Sequence, residues 1–209
     1  MVRGGIYCPP RSRSKPETDW EKVELKELIQ HERGIWAVAH FLAEKLPAYA
    51  GHPLTAGSAL DRNWQVPTLL AELDPLLRHA EISEWISYRV RQIVIQLLDY
   101  IQCSGFPGCD AAAFRRWAHE EAGTDQQVDY LVAAIDGVLA DFAWSPGAEI
   151  QMLESLRKAL PANWGILKQL REMTASGAMG MTNELEAFEK SIRGAMDKAR
   201  RLLAVYVDV

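Results

Sequence analysis

The stretch Ile82-Ser83-Glu84-Trp85-Ile86-Ser87-Tyr88-Arg89-Val90-Arg91-Gln92-Ile93-Val94-Ile95-Gln96-Leu97-Leu98-Asp99-Tyr100-Ile101 decides the fold class. Its β-branched residues would suit a strand, but they do not alternate with polar ones and the run is too long for an ordinary strand. Apolar positions cover most of a helix's circumference, which is the pattern of a helix surrounded by others. Upstream, Asp74-Pro75 reads as an N-cap followed by proline at the first helical position, where the missing N–H costs nothing. The expectation is a central apolar helix over about 75–103 within an all-α, single-domain bundle of seven or eight helices.

The flanking segments agree with that class. Leu25, Leu28, Ile29, Trp36, Ala39, Leu42 and Leu46 recur at helical spacing behind Asp19, predicting one long amphipathic helix that Pro47 ends. Asp110 caps a helix over Ala111–Ala122, and Thr124-Asp125-Gln126-Gln127 fits a capping box for the next, to about Phe142. Ser145-Pro146 opens a further helix to Leu160, with Pro161 separating a short one at Asn163–Met173. Residues 1–18 read as an extended tail, 19–175 as the helical core and 176–181 as a flexible linker. Over 182–209 an amphipathic helix carries Leu185, Phe188, Ile192, Ala195, Ala199, Leu202 and Tyr206 in steps of three and four. Such a stripe docks on the chain's own core or on a partner.

Composition narrows the function. An apolar fraction of 48% with 24% charged residues is that of a chain able to bury a core, which excludes disorder of the whole. The net charge of −5 gives nucleic-acid binding no general support, although Arg11, Arg13 and Lys15 form a local basic cluster for a phosphate contact. Cys8, Cys103 and Cys109 are unpatterned and fit a reducing, cytoplasmic setting. No membrane-spanning run or signal-peptide core is legible.

The search for chemistry is mostly negative. No histidine stands three residues after an acidic one, so di-iron bundle ligands are absent, and no His-x-x-x-His pair offers a zinc site. No phosphate-binding loop, dinucleotide fingerprint or nucleophile elbow is present, and no metal or cofactor is expected. Arg33 precedes His40 by seven residues, a spacing that resembles the Arg-to-His pair of HEPN-type helical ribonucleases. That resemblance implies a metal-independent ribonuclease in which both side chains converge on a scissile phosphate. Glu32 interrupts the apolar stripe of the first helix, and Arg89 does the same in the central one, so an internal Glu32–Arg89 ion pair is expected. His119, with Glu120 and Glu121, reads as part of a solvated face.

Trp64 beside Arg62, in the long 47–66 loop, has the composition of an interface anchor. With Leu185, Phe188 and Ile192 it makes the candidate partner surface. The expected function is a non-catalytic helical subunit or adaptor that binds other protein subunits. A ribonuclease and a complex subunit touching nucleic acid through its basic tail are the alternatives.

Overall fold

The computed structural model describes residues 25–49, 65–79, 82–104, 108–142, 147–177 and 182–206, and the chain is all-α. Eight α-helices occur among them: α1 (Leu25–Leu28), α2 (Glu32–Lys45), α3 (Gln65–Leu77), α4 (Glu84–Ser104), α5 (Ala111–Arg116), α6 (Thr124–Asp141), α7 (Ala148–Ala175) and α8 (Thr182–Tyr206). A 3-10 turn, Leu46–Tyr49, extends α2, and a π-helical turn, Trp117–Glu121, extends α5. The core comprises two apolar clusters that meet at α6. Tyr130 and Ala133 of α6 join α1–α5, while Val128, Leu131, Val132, Ala134, Ile135 and Val138 join α7 and α8.

The central place therefore belongs to α6, and the helix expected over 75–103 is corrected in two ways. It is two helices, α3 and α4, with residues 78–83 between them. Pro75 lies inside α3, two residues from its end, where its missing N–H costs only a bond of the last turn. The side of α4 that carries Trp85, Tyr88 and Ile95 is exposed, at 65%, 62% and 37%, with Ile82 at 62% just ahead of it. Its other side buries Ile86, Val90, Ile93, Val94, Leu97 and Leu98 against α1, α2 and α3.

The first helix is broken as well. His31 is extended (φ −97°, ψ 136°), so α1 stops at Leu28 and α2 starts afresh at Glu32. Restarting the helix rotates Glu32 off the apolar stripe. It becomes the exposed first residue of α2, where the helix dipole favours a negative charge. Arg91 of α4 braces the break by donating to the Ile29 carbonyl at 3.1 Å.

The expected Glu32–Arg89 pair does not form. Arg89 grips Glu72 of α3 in a two-pronged contact, with Nη2 donating to Oε2 at 2.6 Å and Nε donating to Oε1. At 34% and 38% side-chain exposure this pair ties α3 to α4, and it is worth roughly 1 kcal/mol or less.

In the C-terminal half, Pro161 does not divide the chain. α7 runs through it, because Leu153, Leu156, Leu160, Trp164 and Leu167 form one continuous buried stripe. Burying those side chains outweighs the roughly 3 kcal/mol that an internal proline costs. Gly177, at φ +74°, turns the chain after α7, its N–H bonded to the Thr174 carbonyl at 3.1 Å. α8 then packs on α6 and α7, burying Ile192, Met196, Ala199 and Leu203. Leu185, Phe188, Ala195, Leu202 and Tyr206 flank that seam, half-buried. Ile192, Leu185 and Phe188 thus serve the chain's own core, which corrects their assignment to a partner surface.

Candidate functional site

Arg11, Arg13, Lys15, Arg62 and Trp64 lie outside the described residues. Arg33 and His40 share one face of α2, two turns and roughly 10 Å apart along the axis. Arg33 donates to Asp129 Oδ1 of α6 at 2.5 Å, whereas His40 only feels the charge of Asp125 on the same helix. Asp125 accepts from Lys168 Nζ at 2.9 Å and from the Trp164 indole. The two residues form a polar seam between α2, α6 and α7, and the structure does not bring them together on one open point. Burial pushes the Asp129 carboxyl above its ordinary range, against the opposing pull of Arg33.

His119 is not on a solvated face. The π turn, closed by the Ala122 N–H on the Trp117 carbonyl at 2.8 Å, carries the imidazole inward. It meets Tyr130 edge-to-face, with ring centres 5.3 Å apart. Trp117, Phe114 and Phe41 pack beside it in one aromatic cluster, and the Trp117 indole donates to Glu44 at 2.8 Å. The charges of Arg200 and Arg115 act on His119, whose Nε2 is buried without a hydrogen-bond partner. Burial first, then the two guanidinium groups, lowers its pKa; burial likewise lowers that of His40 despite Asp125.

These shifts predict the acid response. A histidine whose folded pKa lies below its ordinary value takes up a proton more readily when unfolded. Its stabilising contribution is complete above the ordinary 6.5 and is lost as pH falls through the folded value. Asp129, shifted upward, works in the opposite direction. The melting temperature should fall as pH drops from about 7 to about 5, and His40→Asn/His119→Gln should flatten the decline. A double variant with the wild-type slope would assign the acid response elsewhere.

Cys109 is buried, its thiol pushed up to about 11 by desolvation and by Asp110. It is therefore a core residue and a poor nucleophile. Among the described residues no three His, Cys, Asp or Glu side chains gather to hold a metal ion, and no helix is long and apolar enough to cross a membrane.

Two surface features were not recognised as sites in the sequence. The first is the apolar side of α4, whose Trp85 and Ile95 the sequence reading places in the core; no local signal separates an apolar face that is covered from one that is bare. The second is a cleft of about 650 Å³ lined by residues 30–33, Val132 and Asp136 of α6, and Arg157, Lys158 and Pro161 of α7. Its residues are far apart in the chain, so no spacing could have announced it. No family model matches the chain, and comparison with curated proteins and with solved structures finds no match.

Proposed function

We propose that this protein is a non-catalytic helical subunit or adaptor that recruits a partner protein through the outward side of α4. The observation that carries this reading is the row of Trp85, Tyr88 and Ile95, set in helical register and bare to solvent. Isolated exposed apolar residues are ordinary, but two aromatics and an isoleucine on one helix side form a patch. Aromatic anchors of this kind dominate binding energy at protein interfaces. The polar residues Glu84, Gln96 and Asp99 on the same exposed surface supply a rim that keeps the free protein dispersed. The fitting partner is a protein offering an apolar groove for Trp85, with hydrogen-bonding groups around it.

The test begins with affinity purification from the native host and mass spectrometry of the co-eluting protein. The binary complex is then rebuilt from purified components. Trp85→Ala/Tyr88→Ala should leave the melting temperature unchanged, since both side chains are exposed, and weaken the complex about 30-fold or more. Equal affinity in wild type and variant would remove α4 from the interface. Self-association of the purified chain, abolished by the same variant, would make a second copy the occupant instead. A ribonuclease activity lost in His40→Ala would overturn the non-catalytic reading altogether. A salt-dependent nucleic-acid affinity lost on removing residues 1–18 would move the contact to the basic tail.

A further inference from the structure

We infer that the cleft between the α1–α2 break, α6 and α7 binds a small organic oxyanion, a phosphate monoester or a carboxylate. The reasoning starts with two ion pairs in and behind its walls. Arg33 is held by Asp129, and Arg157 by Asp136. In both pairs the carboxylate is the sheltered member, at 19% and 17% side-chain exposure, and the guanidinium is the open one, at 44% and 46%. A guanidinium has five donors, and one carboxylate contact leaves several unused. The two half-buried acids thus hold the guanidinium groups, Asp136 from within the lining and Asp129 from outside it, while both arginines keep lining the cleft with donors that their carboxylates do not use. That favours a planar or tetrahedral oxyanion, because each ion pair already restricts a long side chain before a ligand arrives.

Lys158 adds the charge. It lines the same cleft, is exposed, and forms no ion pair among the described residues. Arg33 and Arg157 are already balanced by their partners, and Glu32 stands at the α2 side of the opening. The site therefore suits one oxyanion group and disfavours a polyanion such as nucleic acid. A volume of about 650 Å³ is within the range of small-molecule pockets and well beyond a lone phosphate. Val132 and Pro161 supply an apolar surface for the rest of the ligand.

The site uses none of the α4 residues, so it stands or falls independently of the proposed partner surface. Calorimetric titration of the full chain with phenyl phosphate, benzoate and inorganic phosphate, at matched ionic strength, tests it. Saturable binding of phenyl phosphate, tighter than that of inorganic phosphate, is expected for a phosphate-ester site. Preference for benzoate would identify the carboxylate instead. In either case Lys158→Glu should weaken binding about tenfold or more, with Lys158→Arg restoring most of it. Because Lys158 is exposed, both variants should melt with the wild type when unliganded. No saturation by any of the three probes, or equal binding to Lys158→Glu, would overturn the site.

Discussion

Truncation after Gly177, which deletes α8, is expected to abolish cooperative folding of the C-terminal half. α8 buries Ile192, Met196 and Leu203 almost completely, and Ala199 entirely. Losing three such aliphatic side chains forfeits roughly 5–9 kcal/mol. The α6 and α7 residues of the same cluster would lose the cover that α8 provides. Domains of this size are stable by only about 5–15 kcal/mol, so the deletion removes a stabilisation comparable to the whole. Circular dichroism should show a helical loss larger than α8 alone, with a broadened melt and binding of a hydrophobic dye. A truncated chain that melts cooperatively at the wild-type temperature would show that α8 is a dispensable arm.

Gly34→Ala should be the most damaging small substitution. A methyl group there would lie 2.0 Å from the Leu28 carbonyl oxygen and 2.8 Å from its carbon. Both are backbone atoms, so no rotamer change relieves the clash. Ala133 Cβ, at 3.3 Å on the α6 side, closes the other direction. α1 would have to lift from α2, drawing Leu25, Leu28 and Ile29 out of the core and stretching the Arg91 bond to Ile29. An ordinary helical Gly→Ala change gains up to about 1 kcal/mol, whereas overpacking of this kind costs about 3 kcal/mol. Gly165→Ala and Gly194→Ala provide the control, since nothing lies within 4 Å of either added methyl. Urea unfolding of the three variants should give a large loss at 34 and a neutral or slightly positive change at the other two. A stable Gly34→Ala protein would mean that α1 and α2 do not meet at this point.

What the sequence by itself determined was the all-α class and the sites where local chemistry acts on its own backbone. Asp110 caps α5 by accepting from the Ala113 N–H at 2.7 Å, as its position before the helix implied. The apolar side of α8 was legible in outline: Ile192 and Ala199 of the expected stripe are buried, whereas Met196 and Leu203, which complete the seam, were not in it. Tertiary structure decided what each apolar face meets. The 82–101 run looked central because it is apolar nearly all round, yet α6 holds the centre and α4 leaves Trp85 and Tyr88 in water. Periodicity reports that a face avoids water; it carries no information about which neighbour covers it. The same limit explains Glu32, whose place on the stripe assumed a helix that His31 breaks, and Pro161, whose local cost is outweighed by a stripe continuing on both sides. The cleft was beyond reach for a related reason. Arg33 with Asp129, and Arg157 with Asp136, are pairs made by packing α2 and α7 on α6, and side chains brought together only by packing leave no spacing in the chain to read.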